Sequence, residues 1–168
     1  MEILLERLTE NNAEKLFQFE QENRVFFETM VPSRGDEYYL YETFLNRHHE
    51  ILEEQKIGSC QFYLIMDCTG LILGRVNLVG IDRENVSAHI GYRVGERYLG
   101  KGVAKQAVAK MLEEAKNQQL RTIYAKTTSN NLASQKVLKK NSFQLISKDQ
   151  KEVEFNGEMI QFFHYQWK

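Results

Sequence analysis

Between Val86 and Thr127 the apolar period of the chain changes twice, and that change limits the fold more than any other feature. Val86, Ala88, Ile90, Tyr92 and Val94 alternate with Ser87, His89, Gly91 and Arg93, the pattern of a strand with two unlike faces. A glycine-containing turn over 95–102 follows, after which Val103, Ala107, Val108, Met111, Leu112 and Ala115 recur at helical spacing. Thr122 to Thr127 reads as strand again. A strand, a helix and a second strand in close succession form a right-handed crossover, so the two strands should lie parallel.

The flanking segments complete an α+β plan. Ile3 to Leu8 reads as an opening strand, and Asn11 and Asn12 can cap a helix carrying Ala13, Leu16, Phe17 and Glu20. A second helix is expected from Asp36 to Gln55, where Tyr41, Phe44, Leu45, His48, Ile51 and Leu52 form an apolar stripe. Phe62 to Met66 and Leu71 to Val79 flank a turn over 67–70, so these strands and the next should run antiparallel. A short helix is expected after Ser129-Asn130-Asn131, with Val137 and Leu138 on its apolar side. The strands from Gln144 to Phe155 and from Met159 to Lys168 flank Asn156-Gly157, a two-residue hairpin signal. The expectation is one domain over residues 1–168, with a mixed, mostly antiparallel sheet of about seven strands, a central βαβ unit and about four helices.

Composition excludes several function classes. With 22 Lys+Arg against 23 Asp+Glu, the chain has no overall field for nucleic acid or an anionic membrane. No apolar run is long enough to cross a bilayer, and the first residues are acidic where a signal peptide would be basic. Cys60 and Cys68 are too few for a disulfide framework and lack metal-ligand spacing with any histidine. The expectation is a cytoplasmic protein, monomeric or homodimeric, that holds no metal.

The turn after the fourth strand carries the chemistry. Glycines between a strand and a helix let main-chain amides approach a ligand, and the helix adds its positive end. That arrangement suits a phosphate or pyrophosphate, with Arg97 and Lys101 adding charge. On the glycines alone, a tight connection that needs them only for its φ angles is the better supported reading. A P-loop is missed because Gly102 stands where Ser or Thr would ligate magnesium. A dinucleotide fingerprint is missed because Lys105 replaces its third glycine.

Arg97-x-x-Gly100-x-Gly102 is similar to the Q/R-x-x-G-x-G/A acetyl-CoA motif of the GNAT superfamily of N-acetyltransferases. Asn131-Leu132-Ala133-Ser134-Gln135-Lys136-Val137-Leu138-Lys139-Lys140-Asn141-Ser142-Phe143 resembles its second motif, N-x-x-S-x-x-V-L-x-K-x-G-F. Ser134 and the closing hairpin resemble the branch of ribosomal-protein alanine N-acetyltransferases, the RimJ/RimL type. The resemblance implies a sheet splayed between the fourth and fifth strands and an acetyl-CoA co-substrate. The main chain of Leu99, Gly100, Lys101, Gly102, Val103 and Ala104 would hold the pyrophosphate, with Arg97 adding charge. Tyr92, Arg93 and Val94 would pair with the pantetheine arm, an amide near Tyr92 would polarise the thioester carbonyl, and Asn131 would contact the cofactor from across the cleft.

Catalytic roles follow less directly. His89 stands where many relatives place a glutamate base; a sheet-bonded histidine is the equal alternative. Leu138 replaces the acid tyrosine of many relatives, which leaves Ser134 to hydrogen-bond the departing thiolate. Asn141 is expected to take the left-handed cap in place of the family's glycine, where Ser142 stands. His48 reads as a packed core residue. The acceptor, a peptide N-terminus or a small amine, would meet Phe26, Phe27, Met30 and Tyr38, with Tyr39 and Tyr41 nearby. A CoA-binding module without turnover is the alternative from another class, and a magnesium-dependent NTPase is a third.

Overall fold

A computed structural model describes residues 1–168. Its strands and helices are β1 (Leu4–Arg7), α1 (Ala13–Glu22), α2 (Arg24–Met30), α3 (Tyr41–Lys56), β2 (Gln61–Met66), β3 (Ile72–Asp82), β4 (Ser87–Val94), α4 (Val103–Asn117), β5 (Thr122–Thr128), α5 (Leu132–Lys140), β6 (Gln144–Lys148), β7 (Val153–Phe155), β8 (Glu158–Ile160) and β9 (Phe162–Trp167). Seven strands form one sheet in the order β1-β2-β3-β4-β5-β9-β6. As the crossover rule requires, β4 and β5 are parallel; the other neighbours in this sheet are antiparallel.

Strand alternation divides the core between the sheet's two faces. Phe62, Leu64 and Met66 of β2 join Leu16, Phe19, Phe27 and Phe44 in a cluster of ten buried residues beneath α1, α2 and α3. Ile65 points the other way, into a cluster of twenty that includes Ala88, Ile90, Val94, Ile123 and the buried stripe of α4. That stripe is Val103, Ala107, Val108, Met111, Leu112 and Ala115, as the helical period requires. Burying each larger aliphatic or methionine side chain there contributes about 1.5–3 kcal/mol. Truncating the wholly buried Met111 to alanine would cost about 2–5 kcal/mol.

Several details depart from the sequence reading. There are five α-helices rather than four: α2 begins directly after Asn23, whose side chain closes α1 by donating to the Phe19 carbonyl. With a single residue between them, the two helices have no spacer that a periodicity argument can find. The second expected helix starts at Tyr41, because the extended backbone of Leu40 separates it from a 3-10 turn over Asp36–Tyr39. Val86 lies outside β4 at φ 48°, and its carbonyl accepts from the amides of Arg121 and Thr122. The last hairpin turns at Asn156-Gly157, both at positive φ, but splits into β7–β8 at its tip and β6–β9 at its base. Ser142 itself takes the left-handed conformation at φ 66°. Asn141 stays at negative φ and donates its side-chain amide to the carbonyls of Val137 and Lys105.

Candidate active site

The pairing of β4 with β5 covers only Ser87, Ala88 and His89 against Thr122, Ile123 and Tyr124. Beyond that point the strands diverge and β5 turns to β9. Gly95 donates its amide to Leu73 of β3, so by the two-residue alternation Tyr92 and Val94 aim their N–H and C=O away from β3, into the wedge. The wedge is a cavity of about 180 Å³. Tyr92, Arg93, Val94, Leu99, Ala104, Asn131 and Ser134 all line it. An open strand edge leaves N–H and C=O groups free for water or for a ligand that completes the ladder.

The glycine turn leads from the end of this wedge into α4. Gly100 and Gly102 lie at φ 72° and 77°, conformations that side chains disfavour, so the turn does need its glycines. The same turn leaves main-chain donors free. None of the six successive amides from Gly100 to Lys105 donates to any acceptor within the chain. No side chain caps α4 either. Such a row of free N–H groups at a helix N-terminus is suited to a phosphate group. Lys101 stands beside it over the Tyr98 ring, whereas the exposed Arg97 lines a separate surface depression.

Across the wedge, Asn131 caps α5 by accepting the amide of Ser134. The hydroxyl of Ser134 lies 2.9 Å from that of Tyr92. Burial pushes the Tyr92 phenol up to about 12, only partly offset by its hydrogen bond to Ser134, so it stays protonated near neutral pH. The sequence motif gives Tyr92 only a main-chain role; its phenol enters the site through the fold. The available signal was alternation: Tyr92 shares its face with Ala88 and Ile90, the side on which the second-motif helix must pack. Position 138 is a buried leucine, and Tyr92 of the facing strand puts a phenol beside Ser134 of the same helix.

A second cavity, of about 480 Å³, shares Tyr92 and Arg93 with the wedge. Arg34, Tyr38, Arg47, Arg75, Asn77 and Gly91 are among its walls. A Cβ on Gly91 would come within 2.7 Å of the Asn77 side chain, so glycine clears this floor. Glu20, wholly buried, faces Arg75 at 2.8 Å, off the donor axis, and receives Arg93 at 3.4 Å. Burial, then repulsion from Arg75, drives Arg93 down to about 10, with Glu20 opposing.

Of the four aromatic and methionine residues expected at the acceptor, Tyr38 lines this second cavity. Phe26, Phe27 and Met30 line the wedge instead. His48 is packed in the core, with Nε2 donating to the Thr9 carbonyl at 2.7 Å. His89 is exposed, its ring against Tyr124, and it lines neither cavity.

Known proteins share this fold and its family. Residues 2–144 match the family described as the acetyltransferase (GNAT) domain. The chain is 31% identical to the probable N-acetyltransferase YjcK of Bacillus subtilis (strain 168), covering 92% of this chain and 87% of that one. It superposes on the ribosomal-protein-S5-alanine acetyltransferase of Vibrio fischeri with a TM-score of 0.90 at 22% identity, covering 99% and 93% of the two chains. RimL, a ribosomal L7/L12 alpha-N-protein acetyltransferase solved with coenzyme A, gives 0.86 at 22% identity over 98% and 93%.

Proposed function

We propose that this chain, which belongs to the acetyltransferase (GNAT) family, is an N-acetyltransferase that uses acetyl-CoA to acetylate the primary amine of a peptide-like acceptor by direct attack. The observation that carries the reading is the meeting of two cavities at Tyr92 and Arg93, one bordered by the open edge of β4 and leading to the free amides of the glycine turn, the other walled by arginine, asparagine and aromatic side chains. The free amides from Gly100 to Lys105 and the open edge of β4 fit a pyrophosphate and an amide-bearing arm, so these residues would hold the donor. Acetyl-CoA supplies the acetyl group as an activated thioester. The names of the ribosomal-protein acetyltransferases on which this fold superposes support a protein N-terminus as the acceptor.

The chain's own groups divide the remaining work. The wedge-facing amides at Tyr92 and Val94 present hydrogen-bond donors where negative charge develops on a carbonyl oxygen. The Tyr92 phenol, protonated and bonded to Ser134, holds a proton for a leaving thiolate. His89 is the candidate base; exposed and outside both cavities, it would take the amine proton through solvent. Thiol release from acetyl-CoA, measured across peptides, polyamines and small amines, tests the proposal. Turnover with a peptide N-terminus is the expected result. Stabilisation by acetyl-CoA without thiol release on any amine would identify a binder instead.

A further inference from the structure

The second cavity has four arginines in its walls, Arg34, Arg47, Arg75 and Arg93, and no carboxylate. The carboxylates that reach those arginines do not cancel them evenly. Arg47 meets both Glu50 and Glu54, at 3.1 and 3.0 Å, on the exposed side of α3. Arg75 and Arg93, whose side chains are only 15% and 18% exposed, share the single carboxylate of Glu20. Arg34 has no carboxylate at all; it lies over the Tyr38 ring and donates to the Tyr38 hydroxyl at 2.8 Å. Two buried guanidinium groups therefore share one buried carboxylate, and the exposed Arg34 adds a third positive charge at the cavity's rim.

Crowding like charges at reduced hydration is unfavourable unless a counter-charge enters. The repulsion that Arg93 feels from both Arg75 and Arg34 is the visible form of that imbalance. The planar forks of Arg75 and Arg93 are also suited to two-point recognition of a carboxylate or phosphate. We infer that the acceptor is an amine whose own molecule carries an anionic group, a carboxylate or a phosphate, held by Arg34, Arg75 and Arg93 while the amine lies at Tyr92. A polyamine is the acceptor this cavity repels. The same positive field disfavours an ammonium ion, which leaves more of the amine neutral and able to attack.

This inference rests on the acetyltransferase reading, and one panel separates the two. The probes are N-terminally free tetrapeptides of equal length with acidic, neutral or basic second and third residues, a phosphoserine peptide, free glutamate and spermidine. Each is assayed by thiol release at saturating acetyl-CoA. Acidic or phosphorylated peptides should exceed their neutral counterparts in kcat/KM by about tenfold, and basic peptides and spermidine should fall below them. The acidic preference should shrink in high salt. The free amino acid against the acidic peptide decides whether the anion is a free carboxylate or a side chain. Arg34 has no buried partner to orphan, so Arg34→Glu should fold, retain the acetyl-CoA thermal shift and move the preference toward basic acceptors. Turnover with no charge preference, or with spermidine best, overturns the inference and leaves the enzyme reading intact. No turnover on any probe, with acetyl-CoA bound, overturns the reading on which it stands.

Discussion

The wedge and the second cavity meet at Tyr92 and Arg93, yet they are built in opposite ways. The proposed donor side relies on the main chain, an open strand edge and a row of free amides supplied by the continuous stretch from β4 to α4, with Phe26, Phe27 and Met30 of α2 closing the wedge. The second cavity recognises through side chains brought from α1, α3, β3, β4 and the segment between α2 and α3. Main-chain groups are the same in every protein, so the first construction suits a donor that does not vary. Side chains can be exchanged without refolding the backbone, so the second suits an acceptor that does.

This contrast can be broken by disturbing one side and reading the other. The largest effect is expected at Glu20, where Glu20→Gln leaves Arg75 and Arg93 without a counter-ion in a buried site. Chemical denaturation should show a loss of about 3–5 kcal/mol. Calorimetric titration at a temperature where the variant is folded should show acetyl-CoA affinity within about threefold of the parent, near 0.7 kcal/mol. A large loss of donor affinity would mean that the two cavities are not independent.

Gly102→Asp disturbs the other side, placing a carboxylate and a strained φ beside the free amides. Acetyl-CoA affinity should fall by about a hundredfold or more, near 2.7 kcal/mol, with the circular dichroism spectrum retained. Tyr92→Phe removes only the phenolic proton at the junction. The expectation is a fall in kcat of about 30–100-fold with little change in the KM for acetyl-CoA, measured in the thiol-release assay. An unchanged kcat would remove Tyr92 from the proton path.

The same division explains what the sequence disclosed. The β4–α4–β5 crossover and the glycine turn were legible because each is a run of neighbouring residues with one local rule. Gly100 and Gly102 needed no knowledge of distant contacts. Glu20, Arg75 and Arg93 were not legible as a group, because 73 positions separate the two ends of that cluster. Tyr92 was read for its backbone alone, since its hydroxyl gains a role only when α5 brings Ser134 to it. That Phe26, Phe27 and Met30 line the wedge rather than the second cavity was not legible either, because nothing local marks α2 as a separate helix. Ser142 kept the left-handed turn that Asn141 was expected to take, a case where the backbone of the motif outlasts its glycine.

Two smaller effects sharpen the picture. His89→Ala should lower kcat/KM only a few-fold, and chiefly below the pKa of the acceptor amine. A pH–rate profile superimposable on the parent's would assign the base elsewhere. His48 lies below its usual pKa because burial disfavours the imidazolium, although the Thr9 carbonyl works against this. A folded-state pKa beneath the unfolded value of about 6.5 means that His48 contributes fully above that pH, and that its contribution is lost as pH falls through the folded value. Melting temperature should therefore drop from pH 7 to pH 5, and His48→Gln should flatten that slope while leaving acetyl-CoA affinity alone.

Amide-resolved hydrogen exchange with and without saturating acetyl-CoA tests the division most directly. Protection should rise at residues 100–105 and at Tyr92 and Val94, while Arg34, Tyr38 and Arg47 exchange as before. Free exchange across the glycine turn in the presence of bound acetyl-CoA would contradict the account.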